Sequence, residues 1–140
     1  MLLALPHIAF VSLQRGARED EYGLTVPLPP DADFADTASL VAALDHVVSI
    51  DSSVAHLAGA MGVAVSLLLP AAPDWRWLLY RDDSPWYSGH RLHRQNPPGD
   101  WASVLADVAD ELAARYPGRV PAYAANSLST SAGAMRTVFS

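Results

Sequence analysis

Between residues 47 and 63 the chain reads VVSIDSSVAHLAGAMGV. An apolar run meets one acid and two hydroxyls, a histidine follows a turn later, and small residues lead to a glycine. If 46–50 is a strand and 53–61 a helix, Ser52 and Ser53 stand at a helix N-terminus beyond the carboxyl end of a strand, where open parallel sheets bind ligands. The unpaired first-turn amides and the helix dipole attract an anion there. Hydroxyls at 52 and 53 can donate to phosphate oxygens. His56 lies four residues after Ser52, projects on the same face and can bond the same anion. Asp51 would repel a phosphate, so it is expected to point back and fix the turn. Plain capping accounts for the same residues, and on spacing alone it is the favoured reading. A Ser–His–Asp hydrolase fits poorly, because no G-x-S-x-G elbow occurs and the three residues crowd one turn.

The elements that must position this junction are legible as periodicities. IAFVSL, 8–13, reads as a strand, and the charged, proline-rich stretch after Gly16 reads as a loop. Asp36 or Thr37 is expected to cap a helix through Leu44 with Leu40, Val41 and Leu44 on one side. Val54, Leu57, Ala58 and Met61 follow a helical stripe, with Gly62 as its C′ residue. VAVSLLL, 63–69, is apolar on both faces, as strands of covered parallel sheets are. Asp100 opens a helix with Trp101, Val104, Leu105, Val108, Leu112 and Tyr116 on its apolar face, ended by Pro117-Gly118. A fourth strand is suggested around His90–His93. The alternation of strands and helices predicts a doubly wound α/β fold. The sequence divides into a domain over 1–117 and a flexible tail over 118–140, which is small, polar and without period.

Composition narrows the function classes. The chain has 140 residues and 51% hydrophobic content, enough for one packed core. A net charge of −6 argues against nucleic acid or an anionic membrane as partner. Cysteine is absent, which excludes thiolate metal sites and fits a reducing compartment, so a cytoplasmic location is expected. MLLALPHIAFVSLQ lacks a basic n-region and is broken by Pro6, so it reads as a buried strand and not as a signal peptide. No run approaches the ~20 apolar residues of a membrane span. His7, His46, His90 and His93 show no coupled metal spacing, His90-x-x-His93 reads as coincidence, and no metal is expected.

DSSVAHLAGAMGVAVSLLLP, then PDWRWLLYRDDSPWY and RLHRQ, then GDW opening a helix, resemble the C-terminal half of heptosyltransferase-like enzymes (glycosyltransferase family nine) and of the related glycosyltransferase domains that follow tetratricopeptide repeats in bacterial proteins. SLQRG at 12–16 and DFADTASLVAALDHVVSID at 33–51 fit in the same order, so the resemblance spans residues 8–116. It implies a Rossmann-like parallel sheet with helices on both faces, corresponding to the C-terminal half of a GT-B fold. It also implies that the 51–56 junction cradles the diphosphate of a nucleotide-diphospho-sugar donor through Ser52, Ser53 and His56, with no further cofactor. By the same resemblance Gln14 and Arg15 face an interdomain cleft, and Arg15 is a candidate stabiliser of the pyrophosphate leaving group. The resemblance further implies that the full enzyme transfers a sugar with inversion and without a metal. By the same resemblance the acceptor domain and general base are expected from an N-terminal half outside these 140 residues, so the isolated chain is expected to be inactive.

The aromatic segment after residue 70 lies on the ligand side of the sheet. A nucleobase needs an apolar slot and a few polar edges. Trp75, Trp77, Trp86 and Tyr87 could supply the first, Asp74, Arg76, Asp83 and Ser84 the second, and Arg76 could equally hold a phosphate. Trp77, Leu78 and Leu79 are expected to plug the core. A non-catalytic remnant or interaction module that keeps the fold is the alternative. A homodimer or partner chain is then expected to fill the edges of so small a sheet.

Overall fold

The computed structural model describes residues 2–14 and 24–117, and the backbone of 135–139. Five strands form one parallel sheet: β1 (Ile8–Ser12), β2 (His46–Ile50), β3 (Ala64–Leu69), β4 (His90–Arg94) and β5 (Met135–Phe139), in the order β1-β5-β2-β3-β4. The α/β expectation and the fourth strand are therefore found. Residues 135–139, expected in a loose tail, are instead a strand between β1 and β2. MRTVF has no alternating pattern, so only pairing with its neighbours gives it away.

Three helices cover the sheet: α1 (Phe34–Val41), α2 (Ser53–Ala60) and α3 (Trp101–Arg115). One core joins Val41 of α1 and Ala55 and Ala58 of α2 to Val47, Val65, Leu67, Leu69, Leu92 and Trp77. The other joins Val104, Val108 and Leu112 of α3 to Val48, Leu68 and Leu2. The alternation of Val47 with Val48, and of Leu67 with Leu68, is the period of two that sends successive side chains to opposite faces. Each fully buried aliphatic side chain contributes about 1.5–3 kcal/mol, which is why α3 can be held by three residues at a spacing of four.

Helix starts follow their caps. Ser52 and Asp100 cap α2 and α3 as the sequence suggests, and Gly62 follows α2 with φ of 75°. α1 begins earlier than expected. Asp33, not Asp36 or Thr37, is its N-cap: Asp33 Oδ1 accepts from Ala35 and Asp36 amides at 2.7 and 2.9 Å, and Asp36 Oδ2 accepts from the Asp33 amide. This reciprocal box outcompetes a single hydroxyl cap.

Candidate functional site at the carboxyl edge of the sheet

Strand β2 delivers Asp51 to the carboxyl edge and α2 leaves from it. Ser52 takes an extended backbone and its hydroxyl accepts from the Ala55 amide at 3.4 Å. Ser49 Oγ donates to the Ile50 carbonyl at 2.7 Å and sits 2.9 Å from Ser52 Oγ. The single proton of Ser49 is thus used, and Ser52 must donate to Ser49. The Ser52 proton and one of its lone pairs are spent inside the protein, which is the capping reading of that residue. Ser52→Ala is expected to cost about 1 kcal/mol, the usual value of a serine cap, measurable by urea unfolding. Ser53, the first residue of α2, is exposed.

His56 is half-buried and engaged on both ring nitrogens. Nδ1 lies 3.1 Å from Tyr87 Oη, and Nε2 faces Asp51 Oδ1 at 3.4 Å. Asp51 therefore faces the His56 ring, where the sequence reading expected it to point back and fix the turn. The His56 ring stacks on Trp77 at 5.4 Å, Trp77 stacks on His90 at 5.8 Å, and His90 stacks on Tyr87 at 4.8 Å. Tyr87 closes the ring stack edge-on to His56 at 5.7 Å. Gly59 on α2 makes room for it: a Cβ there would lie 2.4 Å from His90 Cε1 and 2.6 Å from Tyr87 Cγ.

The aromatic segment folds over this stack. Asp74 caps a short 3₁₀ turn, Trp75–Trp77, and binds Arg76 through Nε at 2.8 Å and NH2 at 3.3 Å. This pairing first, and then the charges of Asp51 and Tyr87, hold the guanidinium of Arg76 above its usual range. Ser84 accepts from the Trp86 and Tyr87 amides, making the expected turn. Arg94 of β4 donates to the carbonyls of Arg81, Trp77 and Leu78, which pins Leu78 in a left-handed conformation at φ 54°. Trp77 is the one core plug of its trio. Leu78 and Leu79 are exposed and, with Pro73, Asp74, Trp75, Tyr80 and Arg81, line a groove of about 640 Å³. The turn at Leu78 reverses the chain before either leucine can reach the core.

The edge thus gathers Asp51, Ser52, Ser53 and His56 beside Asp74, Trp75 and Arg76. Gln14 lies at the same edge but beyond β1, and its amide is bonded to Ser12 Oγ. Because β5 intervenes, β1 stands two strand spacings from β2, about 10 Å, so Gln14 is set apart from the 51–56 group. Arg15 lies outside the described residues.

A second polar constellation escapes sequence reasoning. His46 Nε2 lies 2.8 Å from Ser66 Oγ, Ser66 donates to Glu111 Oε2 at 2.8 Å, and His93 Nε2 meets the same oxygen at 2.8 Å. The Ser66 proton is committed to Glu111, so His46 must donate through Nε2, and its Nδ1 faces Tyr116 Oη at 3.4 Å. Ser66 is fully buried and its proton points away from the imidazole, the reverse of a nucleophile–base pair, so the network is structural. It locks α3 to the sheet and borders a cavity of about 780 Å³ lined by paired acids and arginines. Burial drives His46 down to about 4, against the opposing charge of Glu111. For Glu111, burial acts upward, but hydrogen bonds from His93 and Ser66 outweigh it and hold the carboxyl low. Partners 20, 45 and 18 residues apart leave no local signature. His90 and His93 fall on opposite faces of β4, in different contacts, so they are not a metal pair. Among the described residues no group of three or more His, Asp or Glu could hold a metal, and no helix is long and apolar enough to cross a membrane.

No family model matches the chain, and no solved structure matches it. Among curated proteins it is similar to Protein FlbA of Caulobacter vibrioides, with 31% identity over 122 residues, which is 79% of this chain and 20% of the relative. The chain therefore spans a fifth of the length of the curated relative it matches.

Proposed function

We propose that the chain is the nucleotide-diphospho-sugar-binding half of a GT-B glycosyltransferase that transfers a sugar to an acceptor held by another domain. The observation that carries this reading is the convergence of the α2 N-terminus, His56 and Arg76 at the carboxyl edge of a parallel sheet, next to an exposed aromatic groove. The first-turn amides and Ser53 offer donors to a diphosphate. The Ala55 amide reaches Ser52 Oγ, and His56 Nε2 reaches Asp51, only at 3.4 Å, beyond the usual range of strong hydrogen bonds, so an anion competes against weak partners for those two donors, while the Ser52 proton stays with Ser49. Arg76 must be drawn from Asp74 to join it. Trp75, exposed at 75%, offers a face to the base. In FlbA the matching segment is a small part of a longer protein, as expected for a domain that works with others.

Thermal shift with ADP, UDP and GDP at 10 mM tests this. A dissociation constant near 1 mM stabilises by about 1.4 kcal/mol, several degrees in Tm, and His56→Ala should abolish the response. A folded sample that answers none of the three nucleotides rejects the reading. The second reading is a non-catalytic interaction module, favoured by the apolar residues Trp75, Leu78, Leu79, Tyr80 and Trp86 exposed at one edge. It predicts self-association or partner binding with no nucleotide response.

A further inference from the structure

His56 and Arg76 stand on different elements, α2 and the 3₁₀ turn after β3, yet one segment holds both. Ser84 is buried, and its Oγ accepts from the Trp86 amide at 3.1 Å and the Tyr87 amide at 3.3 Å. The turn so made sends two neighbouring side chains to two targets. Trp86 Nε1 donates to the Arg76 carbonyl at 2.8 Å, and Tyr87 Oη lies 3.1 Å from His56 Nδ1. The Tyr87 ring has little freedom. His90 stacks on it at 4.8 Å, and α2 passes it at Gly59, where a Cβ would not fit. Its hydroxyl is therefore delivered to His56 at a fixed place, from 31 residues away.

Asp51 decides which way the proton points. In a neutral imidazole one ring nitrogen donates and the other accepts. Were the proton on Nδ1, the lone pair of Nε2 would face the Asp51 carboxylate at 3.4 Å, two acceptors opposed, which costs free energy in a half-buried place. Tyr87 therefore donates to Nδ1, and the His56 proton sits on Nε2. Asp51 directly precedes the N-cap of α2, so this proton is offered beside the first-turn amides. The other tautomer would turn a lone pair toward an incoming phosphate oxygen.

We propose, resting on the nucleotide-binding reading above, that Tyr87 is a positioning residue for the diphosphate. Its hydroxyl fixes His56 as an Nε2–H donor, and the Ser84–Tyr87 turn sets His56 and Arg76 in one frame. Asp51 holds the Nε2 proton until the anion takes it. Tyr87 and Asp51 thus act on one imidazole in opposite senses: the phenol prepares the donor, and the carboxylate competes for it.

The test uses the full chain, labelled with ¹⁵N-histidine, and two variants. Tyr87→Phe keeps the ring and removes the hydroxyl; Asp51→Ala removes the competitor. At pH 8, where imidazoles are ordinarily neutral, two-bond ¹H–¹⁵N correlations should show His56 in the Nε2–H form in the unaltered chain and in Asp51→Ala. Its Nδ1 signal should move toward that of an unbonded nitrogen in Tyr87→Phe. Protonation at Nδ1 in either of the first two, or an Nδ1 signal indifferent to Tyr87→Phe, overturns the proposal without any nucleotide. Titration with the nucleotide that raises Tm should then give binding about fivefold weaker in Tyr87→Phe, the worth of one neutral hydrogen bond, and tighter binding in Asp51→Ala. Changes of the same sign in both variants, or unaltered affinity in Tyr87→Phe, also overturn it. A chain that answers no nucleotide yet shows the expected spectra loses the nucleotide reading alone and keeps Tyr87 as the residue that orients His56. Should Tyr87→Phe not fold, the spectra of the unaltered chain and of Asp51→Ala decide.

Discussion

Gly59→Ala lowers the melting temperature by about 10 °C, although the same change in a solvated helix would stabilise it. Alanine gains about 0.5–1 kcal/mol over glycine in a helix interior. At residue 59 the added methyl meets His90 Cε1 at 2.4 Å and Tyr87 Cγ at 2.6 Å. Neither neighbour yields easily. His90 is buried between Trp77 and Tyr87, and Tyr87 is struck near the root of its ring. Overpacking costs about 1–3 kcal/mol; clashes below 3 Å with two rings at once put it at the upper end, so after the helical gain the net loss is about 2 kcal/mol, a shift of roughly 10 °C for a domain of this size. The displaced Tyr87 also releases His56 Nδ1, so under the proposed nucleotide-binding role affinity should fall with stability. Thermal melts of the variant check the first effect and titration with the responding nucleotide checks the second. An unchanged Tm would mean that the ring stack is not packed as described.

Acid destabilises the fold between pH 6.5 and 5, well above the range where exposed carboxylates titrate. His46 and His90 are each depressed to about 4 by burial, His90 also by the charge of His56. A weak contact of His90 with the Ala55 backbone offsets little. Above pH 6.5 both rings are neutral in the folded and unfolded chain, and nothing is lost. Below it the unfolded chain takes up protons that the folded chain refuses until about pH 4. The cost is about 1.4 kcal/mol per pH unit for each histidine, roughly 2 kcal/mol per ring at pH 5. Glu111, held below its ordinary value, adds a further loss as pH falls below the unfolded carboxylate range. Urea unfolding at pH 7.5, 6.5, 5.5 and 5.0 measures the slope. His90→Phe keeps the ring between Trp77 and Tyr87 and removes two nitrogens that lack hydrogen-bond partners. It should remove about half the slope and leave His46 to account for the rest. A flat profile in the unaltered protein contradicts the burial of both rings.

Much of this protein is written locally. Apolar runs specify β1 to β3, because side chains of a strand divide between two faces whatever lies beyond them, whereas β4, HRLHR, carries a single apolar residue. The stripes of α2 and α3, and the stops and starts at Ser52, Gly62 and Asp100, follow from hydrogen bonds that span three or four residues. The junction of β2 with α2, and the placement of Asp51, Ser52, Ser53 and His56 on it, is legible for the same reason. Tertiary structure alone decided what those groups do there. Ser52 is spent on its own helix and Ser49, and Tyr87, 31 residues away, claims His56. It also decided that His46, Ser66, Glu111 and His93 form one network, that Gly59 is a packing site, and that MRTVF enters the sheet between β1 and β2. These depend on the order in which parallel strands pair. That order is set by the burial of both sheet faces at once, a property of the assembled layers that no short window of sequence contains.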